Sequence, residues 1–391
     1  MRITSPADIR WLPIILLSLS VAFSLFGDMA MYAIVPTYHT ELGLTPLQVG
    51  LVLSLNRWIR LFTNPLAGRL LKPKNQTAFL AAALIVGSAL SALYAASPPF
   101  VVLLFARVVW GACWSFIRHS GIMASLALGP EKRSGRIIGT YQGLVQVGFI
   151  AGTFSGGFLF DLVGFQKTFI IMCVISVISI PLELVGIRRH QVIESKVSVR
   201  EERPTSERVG VPLILKGFIV ACVGSGLVMS TLGYVLKSEL GNTVRIGTSI
   251  IGISTLNGFL LAVRNIIASA GALLAGVAID RTRKGLVERI SFTSAALILA
   301  AAILLMDSAI VIPLVVVFFA ASTVSRVALF SRAGVRGPKA FAKFVTASDL
   351  GAATGPLLGW IGIDAVSDPR TIFIAGCILY MAAMFLPVRS R

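Results

Sequence analysis

Ionisable and amide side chains interrupt several long apolar runs of this chain, and they are the groups with which it could do chemistry. In the second apolar run three of them recur every four positions and therefore share one face of a helix. They are Asn56, Arg60 and Asn64, and Arg57 lies beside them. The fourth run has a similar face that consists of Arg107, Gly111, Trp114 and Arg118. Other runs contain Asp28, Arg264, Asn265, Arg326 and Asp349.

Charged groups at membrane depth are costly, so each is a functional candidate by default. We assign eight residues to a substrate and proton pathway: Asp28, Asn56, Arg57, Arg60, Arg107, Trp114, Arg264 and Asp349. Simpler explanations stay open. Asp28 could form a structural ion pair with Arg57 or Arg60, and Arg118 could extend to the membrane surface. The tryptophans Trp58, Trp110 and Trp114 could stack a substrate or fill the core.

The arginines in these runs outnumber the carboxylates. Asp28 and Asp349 together cannot neutralise the guanidinium groups of Arg57, Arg60, Arg107, Arg264 and Arg326. A cavity with surplus positive charge favours an anionic or zwitterionic substrate. Proton coupling needs a group that titrates. Asp28 is the first choice, because burial away from water disfavours the charged form of a carboxylate.

Long apolar segments must position these side chains. The chain has 391 residues, of which 56% are hydrophobic and 13% charged, whereas soluble proteins carry roughly 25% charged residues. A membrane-spanning helix needs about 20 mainly apolar residues. The sequence predicts twelve spans, near residues 12–37, 47–69, 78–97, 100–127, 137–160, 167–187, 212–236, 246–279, 290–307, 309–332, 341–363 and 371–388.

Basic residues between the spans predict the orientation of the chain. If the N-terminus is cytoplasmic, the loops expected inside contain 23 Lys and Arg residues and those expected outside contain four. This asymmetry is typical of membrane proteins and predicts that both termini lie in the cytoplasm, as in a multi-pass protein of the inner membrane. It also explains the net charge of +18 without nucleic acid as a partner.

The chain is expected to consist of two similar halves. Residues 1–187 and 212–391 would each form a six-helix bundle, and the hydrophilic segment 188–211 would be a cytoplasmic linker. Glycines four apart in the fifth span recur 203 positions later in the eleventh: Gly148, Gly152 and Gly156, then Gly351, Gly355 and Gly359. Similarly, Gly68 and Gly276 end the second and eighth spans. Such internal repeats are typical of secondary transporters.

These residues resemble the major facilitator superfamily, and the resemblance covers essentially the whole chain. The family pattern G-x-L-x-D-R follows the second span as Gly68, Arg69, Leu70, Leu71 and Lys72, with lysine in place of the aspartate. Its copy after the eighth span has Gly276, Asp280 and Arg281. The resemblance implies that this loop latches the outward-facing state through charge pairs, and the Lys72 departure weakens that expectation for the first half.

Two further patterns support the resemblance. The fourth-span pattern of the family, an arginine followed four residues later by a glycine, is present as Arg107 and Gly111. The pattern G-x-x-x-G-P-x-x-G-G, associated in the family with antiporters that export, occurs with Thr153 in place of its proline. Its second copy has the proline and consists of Gly351, Gly355, Pro356 and Gly359. Glycines at this spacing allow close helix approach, which is either packing alone or part of a rocking interface.

The expected fold is therefore an all-α membrane protein with twelve transmembrane helices in two pseudo-symmetric six-helix bundles. The leading hypothesis is secondary active export of a small organic molecule in exchange for protons, by alternating access. Uptake of an organic anion with protons is the alternative. A non-transporting receptor or enzyme is a remote third, because the sequence has no Ser/His/Asp or metal constellation and no phosphate-binding loop. No cofactor is expected, and the protein is expected to be monomeric in the lipid bilayer.

Overall fold

A computed structural model describes residues 9, 11–72, 74–128, 133–188, 210–281 and 284–387. Almost all of them are helical. The part before the predicted linker, here called the N-terminal half, contains α1 Trp11–Ser24, α2 Phe26–Tyr38, α3 Pro46–Trp58, α4 Arg60–Leu70, α5 Gln76–Ala95, α6 Phe100–Leu126, α7 Ser134–Val163, α8 Phe165–Val177 and α9 Ser179–Arg188.

The part after the linker, the C-terminal half, begins with a helix that is π-helical in its middle. Its elements are α10 Val211–Val220, the π-helical turn Ala221–Leu227, α11 Val228–Leu240, β1 Thr243–Ile246, β2 Ser249–Gly252, α12 Ile253–Arg281, α13 Lys284–Leu304, α14 Val311–Gly334, α15 Pro338–Val366 and α16 Arg370–Met384. The predicted linker, apart from residues 188, 210 and 211, lies outside the described residues.

Nine helical stretches in the described residues are long and apolar enough to cross a membrane. The pairs α1–α2 and α8–α9 each form one such stretch, broken only at Leu25 and Ile178. Three other predicted spans do not meet those limits: α3–α4, α15 and α16. The number twelve therefore stays a prediction, while the multi-pass helical architecture is confirmed.

The predicted eighth span begins too early. Residues 246–252 were expected to be helical, but β1 and β2 form an antiparallel hairpin in which Thr243 pairs with Gly252. The hairpin turns at Gly247, whose φ of +62° lies in the left-handed region that glycine adopts without strain. Several β-branched residues flank this turn, which favours strands over a helix. The helix itself begins at Ile253.

The start of α3 shows how local sequence determines a helix boundary. The Thr45 hydroxyl accepts a hydrogen bond from the Gln48 backbone N–H at 3.3 Å. The Gln48 side chain accepts one from the Thr45 N–H at 3.0 Å. This reciprocal capping box satisfies two donors that a helix start would otherwise leave open. Pro46 at the first helical position lacks an N–H that would need a partner.

In the N-terminal half the glycines of α7 pack against the backbone of α1 and α2. A Cβ atom on Gly148 would come within 2.5 Å of the Ala22 carbonyl oxygen. One on Gly156 would come within 2.6 Å of the Ala30 Cα atom. No side chain fits at such distances, so these positions require glycine.

The C-terminal half repeats this arrangement between α15 and the helix that contains the π-helical turn. A Cβ atom on Gly351 would lie 2.1 Å from the Phe218 carbonyl oxygen, and one on Gly355 would lie 2.1 Å from that of Cys222. A Cβ atom on Gly359 would lie 2.9 Å from the Thr231 Cγ2 atom. The predicted close helix approach is present, and it occurs within each half. Its role in gating stays a prediction.

The two halves meet mainly at one end of the bundle, the distal side, where α2 and α11 end and α12 begins. There the Thr37 and Ser254 hydroxyl groups are 2.7 Å apart. The Asn257 side chain donates to the Ala33 carbonyl oxygen at 2.8 Å. A Cβ atom on Gly157 would lie 2.0 Å from the Ser254 carbonyl oxygen, so α7 and α12 are in backbone contact.

The opposite end, the linker side, is where α9 ends and α10 begins. Here Cβ atoms built on Gly68 and Gly276 would meet no described atom within 4 Å. The same holds for Gly139 and Gly143 on α7. Contact between the halves on the distal side and open space on the linker side leave a cavity between them.

Candidate functional site

Asp28 of α2 and Arg107 of α6 form an ion pair at the centre of the N-terminal half. The exposed fractions of the two side chains are 6% and 0%, respectively. Arg107 also donates from Nε to the Val52 carbonyl oxygen at 3.0 Å. The Asn56 amide donates to the same Asp28 oxygen at 3.4 Å. The carboxylate is thus bound by one guanidinium group and one amide, in a site that is nearly closed to solvent.

Asp28 pairs with Arg107 and not with Arg57 or Arg60, the alternative partners considered from sequence. Arg107 takes that place because α6 lies unusually close to α3: a Cβ atom on Gly111 would be 2.3 Å from the Asn56 carbonyl oxygen. Gly111 is one turn from Arg107, so the absence of a side chain there lets the arginine reach the carboxylate. This contact gives the Arg-x-x-x-Gly pattern a physical meaning.

Arg57 instead crosses the cavity to the C-terminal half. Its Nη1 atom donates to the Ser225 carbonyl oxygen at 2.6 Å and to that of Ala352 at 2.8 Å. Its guanidinium group lies 5.2 Å from the centre of the Tyr32 ring, a cation–π distance. Ser225 belongs to the π-helical turn, and such turns are frequent at functional sites. Arg57 thereby links the two halves within the membrane.

Arg264 and Arg326 supply positive charge from the C-terminal half. The Arg264 guanidinium group donates to the Ser225 hydroxyl at 2.9 Å and to the Asn265 side-chain oxygen at 3.1 Å. Arg326 of α14 lines the same cavity. Among the residues that the structure describes, it has no hydrogen-bond acceptor or carboxylate partner.

Arg60, the first residue of α4, also lines the cavity. Its guanidinium group forms no hydrogen bond or ion pair with any residue within the described ranges. Asp349 is exposed on α15 and does not line the cavity. It lies within electrostatic reach of Arg60, as does Asp28. Among the predicted pathway residues, Asp349 is thus exposed and lies outside the cavity lining.

Aromatic side chains form one wall of the cavity. The rings of Trp110 and Trp114 are stacked with centres 6.4 Å apart. Trp114 and Phe149 meet edge to face at 6.0 Å. These three residues line a space of about 350 Å³ together with the arginines, whereas Trp58 does not border it. The wall offers an apolar surface beside fixed positive charge.

The structure brings most of the predicted pathway together. Six of its residues line one cavity: Asp28, Asn56, Arg57, Arg60, Trp114 and Arg264. Arg107 lies behind Asp28 as its ion-pair partner. The side chains of Asp280 and Arg281 lie outside the described residues, so the second-half latch stays a prediction. Gly68 and Gly276 are at the open linker side.

Several cavity residues and one buried charge cluster were missed from sequence. Tyr32, Gln146 and Ser225 line the cavity; their signal was an isolated polar group in an apolar run, as for Asn56. The cluster joins helices of the C-terminal half near the linker side. The Glu288 carboxylate binds the Lys216 ammonium group at 2.6 Å and also the Arg332 guanidinium group. Pairing of helix ends is not visible in a sequence.

The site is a polar cavity that combines guanidinium groups, one carboxylate and an aromatic wall. The described residues contain no group of three His, Cys, Asp or Glu side chains that could hold a metal ion. The fold and the site define a polytopic membrane protein with a central polar cavity between two helical halves, as in secondary transporters.

Comparison with known proteins identifies the family. The model of the Major Facilitator Superfamily matches residues 17–333, and the chain belongs to that superfamily, whose members are transporters rather than enzymes.

Two curated relatives are similar over part of the chain. The "Quinolone resistance protein NorA" of Staphylococcus aureus is 25% identical over 128 residues, which are 32% of each chain. The "Multidrug resistance protein 1" of Bacillus subtilis is 22% identical over 215 residues, 55% of this chain and 54% of the relative. The matched region thus spans about a third and about half of these relatives.

A solved structure shows the fold over nearly the whole length. It is a bacterial homolog to the human lysosomal transporter Spinster in an inward-facing and occupied conformation, with a TM-score of 0.75. The match covers 95% of this chain and 94% of that chain at 14% identity. The major facilitator fold is therefore confirmed.

Proposed function

We propose that the protein carries a small organic molecule across the membrane by alternating access, with proton coupling through Asp28 and Arg107. The observation that carries this proposal is the ion pair between these two residues beside the central cavity. Asp28 is the carboxylate among the described residues that line the cavity, and the pair is almost fully buried. A titratable group at this place can sense both the proton and the substrate.

Protonation of Asp28 would change the energy of the whole site. It would remove the negative charge that compensates Arg107, whose side chain has no exposed surface. An uncompensated buried cation is strongly unfavourable. The proton would therefore favour a rearrangement in which Arg107 gains another partner or contact with water. Coupling of this kind needs two states with different proton affinity.

Export in exchange for protons is the first form of the proposal. The two curated relatives are named as resistance proteins, and the glycine pattern of the fifth span resembles that of exporting antiporters. The loop charges support a cytoplasmic linker, in which case the open linker side of the cavity would face the cytoplasm. Such a cavity would load its substrate from inside the cell. In this form proton and substrate weaken each other's binding.

Uptake of an organic anion with protons is the second form. Four arginine side chains line the cavity: Arg57, Arg60, Arg264 and Arg326. Protonation of Asp28 would add to their positive charge, so that an anion and a proton strengthen each other's binding. This sign is that of a symporter.

Transport in vesicles with an imposed pH gradient tests the proposal and separates its two forms. We expect substrate movement against its own gradient, towards the acidic side in the form of export and away from it in the form of uptake. Absence of gradient-driven movement of any substrate found by an export and susceptibility screen of a deletion strain would contradict proton coupling. The control is the same vesicle with a proton ionophore.

Reporter fusions test the orientation and the division into residues 1–187, 188–211 and 212–391. Fusions at Arg203 and at Arg391 should both report a cytoplasmic location, since the loop charges number 23 against four. A periplasmic signal at either position would overturn the proposed topology and with it the inward direction of the cavity.

A further inference from the structure

The central cavity contains more positive charge than its own carboxylate can balance. Arg57 and Arg60 reach it from the N-terminal half, and Arg264 and Arg326 reach it from the C-terminal half. Asp28 is the single carboxylate among the described lining residues, and Arg107 already compensates it. Four guanidinium charges thus remain without a counter-charge in the described lining.

These groups cannot relieve their mutual repulsion by losing protons, since a guanidinium group stays protonated in proteins. Two of them have neutral acceptors: Arg57 binds the Ser225 and Ala352 carbonyl oxygens, and Arg264 binds the Ser225 hydroxyl. Arg60 and Arg326 have no acceptor among the described residues. Their donors remain available beside a space large enough for a small molecule.

We propose that the cavity binds a small organic molecule with at least two oxyanion groups, one held mainly by Arg60 and the other mainly by Arg326. This inference rests on the proposed transport function and gives its substrate class. A single negative charge would leave most of the positive charge uncompensated. Carboxylates and phosphates both accept paired hydrogen bonds from a guanidinium group. Dicarboxylates, tricarboxylates and phosphorylated carboxylic acids share this chemistry.

The remaining wall indicates where the body of the molecule lies. Trp110, Trp114 and Phe149 present an apolar surface in the same cavity. The volume of about 350 Å³ is at the lower end of the range of roughly 300–1,000 Å³ typical of ligand sites. A compact molecule with a flat apolar part between its charged groups fits both features.

The placement of the arginines on both halves has a consequence for alternating access. In the empty cavity, closure would bring the guanidinium groups of Arg60 and Arg326 closer together without a counter-charge. A substrate with oxyanions at both ends would neutralise both halves and bridge them. Closure around the substrate is therefore favoured over closure of the empty cavity, and exchange of bound for free anion should be faster than net transport.

Binding to the purified full-length protein tests the substrate class without any gradient. The probes are citrate, phosphoglycerate, benzoate and the cation tetraphenylphosphonium, compared at equal concentration by the shift in unfolding temperature and by calorimetry. We expect the two multiply charged anions to stabilise the protein, and at least one to bind roughly tenfold more tightly than benzoate. Because no proton gradient is present, failure of proton coupling would not change this result.

Variants locate the binding. Arg60→Gln and Arg326→Gln should each weaken binding of the multiply charged anion roughly tenfold. Arg245→Gln, which removes one positive charge from the exposed hairpin, is the matched control and should leave it unchanged. If Arg60→Gln does not fold, Arg60→Lys keeps the charge and should retain part of the affinity.

Three outcomes would overturn the inference. One is equal or tighter binding of benzoate or tetraphenylphosphonium than of either multiply charged anion. Another is absence of stabilisation by both citrate and phosphoglycerate. The third is equal loss of affinity in the Arg245→Gln control, which would assign the effect to net charge rather than to the cavity. Proton-coupled transport could survive each of them, with a substrate of another class.

Discussion

The two halves share a helix arrangement but differ in the chemistry that they bring to the cavity. In each half a glycine face of the fifth span packs against the backbone of the first span. In the N-terminal half α7 packs against α1 and α2, and in the C-terminal half α15 packs against the helix that contains the π-helical turn. The N-terminal half contains the ion pair of Asp28 and Arg107, in which Asp28 belongs to α2, one of the helices that α7 packs against. The C-terminal half has the π-helical turn Ala221–Leu227 in the same helix and contributes only arginines as charged groups to the described lining.

This difference separates two tasks within one repeated scaffold. A charge that changes with protonation is present in the N-terminal lining, whereas the C-terminal lining supplies charge that does not titrate. The π-helical turn exposes the Ser225 carbonyl oxygen, which Arg57 binds at 2.6 Å. In the proposed mechanism the first half would sense protons, and the second would provide fixed charge and a docking point for the first.

The largest expected effect is the loss of the carboxylate in Asp28→Asn. If Asp28 carries the proton, uphill transport should disappear while substrate exchange without a gradient survives. If the residue is only structural, the variant should fold poorly, because breaking a buried pair costs roughly 3–5 kcal/mol. Transport in vesicles and thermal unfolding measure the two effects. Asp364→Asn removes the same charge from an exposed position outside the cavity lining and serves as the control.

A double variant sharpens this result. Asp28→Asn combined with Arg107→Gln removes both charges, so it should recover stability relative to the single variant without recovering uphill transport. Normal gradient-driven transport by a well-folded Asp28→Asn protein would contradict the assignment of proton sensing to the N-terminal half. The titrating group would then have to be sought outside the N-terminal lining.

The next effect compares the glycine faces of the two halves. Gly355→Ala should be more destabilising than Gly152→Ala, although overpacking costs about 1–3 kcal/mol in either case. A Cβ atom at Gly355 would lie 2.1 Å from the Cys222 carbonyl oxygen, whereas at Gly152 its nearest neighbour is the Met29 Cβ atom at 2.9 Å. Thermal unfolding of both variants measures the difference.

Gly139→Ala on α7 is the control, because its Cβ atom would enter open space. It should be neutral or stabilising by up to about 1 kcal/mol, the difference in helix propensity. The larger change Gly152→Leu should impair transport more than expression, since it separates α7 from α2. Equal stability of the Gly355→Ala and Gly152→Ala proteins would mean that the α15 contact relaxes as easily as that of α7.

Sequence reasoning reached the fold more completely than the site. Periodic glycines and apolar runs predicted the helices and the repeat, because these features depend on local composition and spacing. The partner of Asp28 was not predictable in this way. It depends on the close approach of α6 and α3 at Gly111, a contact between segments that are far apart in the chain. The π-helical turn and the hairpin before α12 likewise depend on how helices end rather than on their hydropathy.

A smaller effect is expected on the distal side, where Asp161 of α7 caps the start of α12 in the other half. Its carboxylate accepts from the Thr255 N–H at 2.6 Å and from the Thr255 hydroxyl at 2.7 Å. Loss of a helix cap costs about 0.5–2 kcal/mol. Asp161→Ala should therefore shift the protein towards opening of the distal side, which spin-label distances between α7 and α12 would report.

The control for this variant is Asp307→Ala. The Asp307 carboxylate binds Arg370 at 2.7 Å, and both residues belong to the C-terminal half. Its loss should leave the α7–α12 distances unchanged. If both variants widen the distances equally, the cap does not hold the halves together, and the N-terminal half has no special role in distal closure.

The smallest effect concerns the exposed ion pair between Glu41 and Lys237, which also joins the halves at 2.7 Å on the distal side. Exposed pairs contribute about 0.2–1 kcal/mol and are screened by salt. Partial burial is the largest single effect and acts to raise the pKa of Glu41, but the hydrogen bonds from Lys237 and Thr40 together with the charge of Lys237 hold that pKa below its ordinary value. The pair is therefore intact above the ordinary glutamate pKa of about 4.3 and is lost as the pH falls through the lowered value.

Acidification should thus widen the distal side in two steps, and the lower step should belong to Glu41. The upper step comes from His39, because burial lowers its pKa. As the pH falls below the ordinary histidine pKa of about 6.5, the tendency of His39 to take up a proton therefore destabilises the closed distal side. Spin-label distances measured against pH should show both steps in the unmodified protein. Lys237→Gln should abolish only the lower one, and His39→Gln only the upper one. Survival of the lower step in Lys237→Gln would show that this contact between the halves does not respond to pH through Glu41.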